Sequence, residues 1–123
     1  MAAALLTLIA LAAPAPAEAL PARRCGRACH RRVRVRRWQQ TWQDAPPWMR
    51  RHLRSIAYCE SRNDENAVST AGYQGLLQWD RRTWRSVGGR GEPVDAGRFE
   101  QWHRGVLLYK RRGPQPWPVC RYA

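Results

Sequence analysis

The feature that most constrains this chain is a proline pair, Pro46-Pro47, followed by apolar residues at Met49, Leu53 and Ile56. These offsets put all three side chains on one face of an α-helix and leave them on opposite faces of a strand. A proline pre-set for the first helical turn opens such a helix, and Asp44-Ala45 before it marks a break. Trp48, His52 and Ala57 lie beside the stripe, and one further turn brings Glu60 onto it. Asp80 stands where it can cap a short helix through Val87, stopped by Gly88-Gly89. Asp95 can cap a third helix carrying Phe99, Trp102, Val106 and Tyr109, ended by Gly113-Pro114. Asn63 to Gly75 is rich in Asn, Asp, Ser, Thr and Gly and reads as a loop with room for a small hairpin. The two prolines of Pro116-Trp117-Pro118-Val119-Cys120 forbid a helix there and predict an extended tail. The reading is a small, mainly α domain (α+β) with a short loop or hairpin wing.

Length and charge bound the rest. A chain of 123 residues holds one domain and excludes a multidomain enzyme. A hydrophobic share of 44% with seven Trp excludes wholesale disorder. Lys+Arg total 22 against 9 Asp+Glu, a net charge of +13, and Lys110 is the only lysine. Eight of the arginines fall between Arg23 and Arg37 with no acid among them. Such a block is solvated in isolation and attracts anionic polymers, whether nucleic acid, anionic lipid or the teichoic acids of a cell wall.

The N-terminus selects among these. Ala2 to Ala13 is an apolar run too short for the roughly 20 residues of a membrane span. It fits the core of a secretory signal, with small-residue sites at Ala15-Pro16-Ala17 and Ala17-Glu18-Ala19, although no Lys or Arg precedes it. The expected organisation is a signal peptide over 1–19, a basic arm over 20–43 and a compact domain over 44–123. No later run is long and apolar enough to span a membrane. Secretion argues against nucleic acid, although arginines with Trp38 and Trp42 have the chemistry for phosphate contact and base stacking.

Cys25, Cys29, Cys59 and Cys120 suit an oxidising compartment, and four cysteines allow three connectivities. The Cys25, Cys29, His30 spacing is one residue longer than a haem attachment pattern, and no second Cys/His pair completes a zinc site. A local disulfide or pairing with a partner fits better, and no metal or other cofactor is expected. His52 and His103 read as packing or surface residues. Glu60 is the candidate for chemistry. A carboxyl ending an apolar face is partly desolvated, which raises its pKa and suits a general acid. Arg62 and the general positive field push the other way, and position alone leaves both outcomes open.

Cys59-Glu60-Ser61, Gly72-Tyr73, Gly75, Leu77-Gln78, Thr83-Trp84 and the closing Trp117-Pro118-Val119-Cys120 resemble the resuscitation-promoting-factor, transglycosylase-like domain. Glu60-Ser61, Asn66-Ala67-Val68-Ser69, Ala71-Gly72 and Gly75-Leu76-Leu77-Gln78 are also similar to the signature of soluble lytic transglycosylases. The resemblance spans roughly Ser55 to Cys120. It implies a disulfide-stapled, lysozyme-like fold that cleaves the glycan strand of peptidoglycan. In it Glu60 matches the catalytic glutamate, Gln78 and Thr83 match groove positions, and Tyr73 and Trp117 would offer flat surfaces to sugar rings. It also implies a Cys59–Cys120 disulfide. Leu76 departs from the resuscitation factors' second glycine, Gln74 replaces an aromatic, and Arg81-Arg82 makes the groove edge more basic. These departures bear on substrate preference.

A two-carboxylate hydrolase needs a partner acid roughly 5 to 9.5 Å away. Asp64, Asp80 and Asp95 are the candidates, none in a convincing context. Single-glutamate lytic transglycosylases need no partner, since the sugar's own 6-hydroxyl closes a 1,6-anhydro ring. The expectation is a monomeric, wall-located enzyme, a lytic transglycosylase or a muramidase, acting on the MurNAc-GlcNAc β-1,4 bond with a single Glu acid/base, and the arm holding anionic wall polymers. The rival from another class is a catalytically silent glycan-binding module using the same groove.

Overall fold

The computed structural model describes residues 25–123. The expected signal peptide over 1–19, with Arg23 and Arg24 of the arm, lies outside them. Four helices follow in order: α1 (Arg27–Asp44), α2 (Pro47–Ser61), α3 (Arg81–Ser86) and α4 (Arg98–Arg112), with 3-10 turns at Pro93–Asp95 and Cys120–Tyr122. Among the described residues, β-structure is confined to isolated antiparallel bridges, Val68 with Gln74 and Gln74 with Trp79. These stitch the loop after α2 into a wing. Disulfides join Cys25 to Cys29 and Cys59 to Cys120. The domain is mainly α, as the apolar spacing predicts, and carries the Cys59–Cys120 staple that the resemblance implies.

The core forms on α2 and α4. Met49, Leu53, Ile56 and Ala57 of α2 are buried, as the periodicity predicts, and meet Trp102, Val106, Leu108 and Tyr109 of α4. The wing adds Leu76, Leu77 and Trp79, and α3 adds Trp84. Gly105 lets α4 approach the wing, because a Cβ there would lie 2.5 Å from Leu77 Cδ1. Asp80 caps α3 by accepting from the Thr83 backbone N–H at 2.8 Å. Gly113, at φ 58°, ends α4 in the left-handed region that favours glycine. No helix among the described residues is long and apolar enough to cross a membrane.

Three expectations give way. The arginine block is not a solvated strand of coil but helix α1, packed along α4. Val35, Trp38 and Trp42, spaced by three and four, form a stripe that charge arithmetic does not register. The Trp42 ring lies 4.5 Å from Trp102 and Trp38 lies 6.5 Å from His103, so both indoles face α4. Second, α4 starts after Gly97, and Asp95 closes the preceding 3-10 turn, whose first residue is Pro93. Phe99, expected on the core face, stays exposed. Third, the tail is a run of turns. Proline removes donors but keeps its carbonyl, so Trp117 N–H bonds to Pro114 O and Arg121 N–H to Trp117 O.

Candidate active site

Glu60 sits in the last turn of α2, and the end of that helix is fixed. Arg62 and Asn63 take left-handed conformations (φ 57° and 63°), and the Asn63 N–H reaches back to Ala57 O at 3.2 Å. This six-to-one bond is the Schellman way of closing a helix. Both neighbours of Glu60 are also anchored. Cys59 is bonded to Cys120, and the Ser61 hydroxyl donates to Leu76 O at 2.8 Å.

The Glu60 carboxyl is half-buried, and burial pushes its pKa above the ordinary glutamate value. No described side chain pairs with it or donates to it. Arg62, which the sequence offered as a counterweight, instead lays its guanidinium over the Tyr58 ring at 4.8 Å. Desolvation therefore sets the direction of the shift, toward the protonated form.

Glu60 opens into a cleft of about 410 Å³ that Tyr73, Gln78, Trp117 and Pro118 also line. The cleft continues into a second concavity of about 320 Å³, which shares Gln78, Trp117 and Pro118 and adds Asp80, Thr83 and Arg112. Tyr73 and Gln78 thus stand with Glu60, while Thr83 stands one step along the groove. Tyr73 is exposed and offers a ring face. Trp117 differs from the open stacking surface expected of it. It is 4% exposed, its ring stacks on Tyr109, and its indole N–H donates to Leu77 O at 3.0 Å. It is the groove's floor.

None of the three candidate partner acids lines the Glu60 cleft. Asp64 accepts from the Asn66 backbone N–H at 2.9 Å, and Asp95 is exposed on the 3-10 turn. Burial pushes the Asp80 pKa up, but the hydrogen bonds it accepts from Thr83 outweigh that and hold it below the ordinary value. Asp80 is an ionised helix cap. Cys25 and Cys29 are committed to each other, which answers the haem and zinc alternatives for those two sulfurs. His52 is a packing residue that ties down the tail, with Nδ1 2.7 Å from the Tyr109 hydroxyl and Nε2 donating to Arg121 O at 2.9 Å.

One residue that shapes the site, Gln101, escaped the sequence reading, as did the backbone conformation of Gln78. Gln101 is fully buried in α4, where its Oε1 accepts from Leu76 N–H and its Nε2 donates to Glu65 O and Ala96 O. It also packs against Gly75, where a Cβ would lie 2.3 Å from Gln101 Oε1. Gln78 holds φ 48°, a conformation costing a non-glycine residue on the order of 1 kcal/mol, offset by its Nε2 bond to Gly75 O at 3.0 Å. Gln78 lines the Glu60 cleft in this conformation. A left-handed glutamine carries no sequence signal, and a glutamine three residues from Arg98 reads as surface.

The transglycosylase-like domain matches this chain over residues 49–120, more than half its length. The chain is 36% identical over 66 residues to resuscitation-promoting factor RpfE of Mycobacterium tuberculosis, covering 54% of this chain and 38% of that protein. It is 34% identical over 65 residues to resuscitation-promoting factor Rpf of Micrococcus luteus, covering 53% and 29%. The matched part thus spans about a third of the length of these relatives.

Proposed function

Since the chain belongs to the transglycosylase-like domain family, we propose that it cleaves peptidoglycan glycan strands at the MurNAc-GlcNAc β-1,4 bond. Glu60 is the single acid/base in this reading. The observation that carries it is a carboxyl whose pKa burial raises, in a cleft whose own lining holds no second carboxyl. Glu60 gives its proton to the glycosidic oxygen as the C1–O bond breaks, and the leaving saccharide departs with that proton. The resulting carboxylate takes a proton from the sugar's own 6-hydroxyl as that oxygen bonds to C1. A 1,6-anhydro end forms, and Glu60 returns to its protonated form. Tyr73 supplies a ring face for a sugar, Gln78 and Thr83 supply polar groups along the groove, and Trp117 supports its floor. The site of action is the cell wall, reached by secretion.

The test is incubation of the oxidised protein with purified peptidoglycan, beside Glu60→Gln, with soluble products read by mass spectrometry. Products ending in 1,6-anhydro-muramic acid from the parent protein alone are expected. Reducing-end products lost in the variant would replace lyase chemistry with hydrolysis. Binding without products from either protein would make the chain a glycan-binding module.

A further inference from the structure

Helix α1 carries Arg27, Arg31, Arg32, Arg34, Arg36 and Arg37, all exposed. Among the described residues none of them enters an ion pair, and the helix holds no acid before Asp44. The arrangement opposes itself. Arg27 with Arg31 and Arg32 with Arg36 are like-charge pairs one turn apart, and Arg27 lies in the first turn, at the helix's positive end. The fold nevertheless holds this array in place. The Cys25–Cys29 disulfide reaches into the first turn, and Trp38 and Trp42 dock on α4. The result is a preorganised cationic rod of about 15 Å from Arg27 to Arg37.

We propose that α1 is a binding surface for a hydrophilic wall polymer carrying a phosphodiester on each repeat. Guanidinium groups present forked donors that fit phosphate oxygens two at a time. A phosphodiester keeps its charge across the range where carboxylates protonate, which matches a cation that does not titrate. Two other polyanionic surfaces fit less well. Val33 is the only large apolar residue that α1 exposes, too little to anchor a helix in lipid. Both indoles are turned onto α4 and are withdrawn from base stacking. No residue of α1 lines the Glu60 groove, so a bound polymer leaves that groove open.

The proposal rests on the reading above only in placing the protein at a cell wall. The test is binding of the full chain to soluble poly(glycerol phosphate) across a salt series, beside Arg32→Gln/Arg36→Gln/Arg37→Gln. Gln keeps helix propensity, and circular dichroism checks that the helix survives. The variant should bind at least about tenfold more weakly, with a log–log salt slope shallower by about 2, at roughly 0.7 per phosphate contact. Should the triple variant lose helix, each single substitution should weaken binding about twofold to threefold. Unchanged binding by the variants overturns the proposal. So does equal retention on phosphatidylglycerol vesicles, or more than tenfold tighter binding of a single-stranded oligonucleotide. Cleavage of soluble glycan fragments by the variants, measured in parallel, should equal that of the parent chain. A failure of the Glu60 mechanism thus shows in a separate readout.

Discussion

Gln101→Met removes the amide at the centre of the wing while keeping side-chain length, so little cavity is added. Leu76 N–H, beside a fully buried side chain, loses its acceptor, which costs about 1 to 3 kcal/mol. Glu65 O and Ala96 O each lose a donor, at roughly 0.5 to 1.5 kcal/mol apiece in their partly buried settings. The expected loss is about 3 to 4 kcal/mol, a large part of the 5 to 15 kcal/mol typical of a domain. Urea unfolding followed by tryptophan fluorescence, with both disulfides intact, measures it. Gln43→Met on the exposed side of α1 is the control and should shift stability by less than about 0.5 kcal/mol. A loss below about 1 kcal/mol for Gln101→Met would show that the wing is held by its apolar residues, and that the amide's three bonds are incidental.

Other expectations follow from titration and from the staples. His103 is buried between α1 and α4, where desolvation first, and then Arg104 and Arg37, lower its pKa from 6.5 to about 4. The unfolded chain binds this proton and the folded one does not, so stability falls as pH drops from about 6.5 to 4, by about 3 kcal/mol in all. His103→Phe should flatten that part of a pH–stability curve measured by thermal melting. Cleavage should decline as pH rises through the Glu60 pKa, because the acid must carry its proton, and that midpoint should lie above an ordinary glutamate's. A pH–rate profile checks this. The Cys59–Cys120 bridge closes a separation of 61 residues and the Cys25–Cys29 bridge one of 4. Replacing the first pair by Ala should cost about 4 kcal/mol in chemical denaturation, and replacing the second about 2 at most.

What the sequence revealed was local. Met49, Leu53 and Ile56 show their common face in their spacing alone, and Asp80 and Gly113 mark helix ends by chemistry that acts within a turn. The place of Glu60 in the last turn of α2 was readable because it continues that stripe. What stayed hidden depends on distant partners. Gln101 gains its role from Glu65 and Leu76, residues 36 and 25 positions away. Trp117 lies between prolines that suggest an open tail, yet Leu77 O, 40 residues earlier, draws its indole inward. The arginine arm is helical because Trp102 and His103 wait on α4, and a count of charges contains no information about them.

The residues on either side of Glu60 are tethered to different parts of the chain, Cys59 to the C-terminal turn and Ser61 to the wing. The acid is thus held like a beam clamped at both ends, with little backbone freedom of its own. A clamped position is accurate only while both supports hold, and the wing's support is a set of hydrogen bonds that can open locally at less than the cost of global unfolding. Warming should therefore spoil the aim of the carboxyl before it melts the helices. On the proposed mechanism, cleavage should then fade at a lower temperature than the helical signal in circular dichroism, and loss of both at one temperature would refute this.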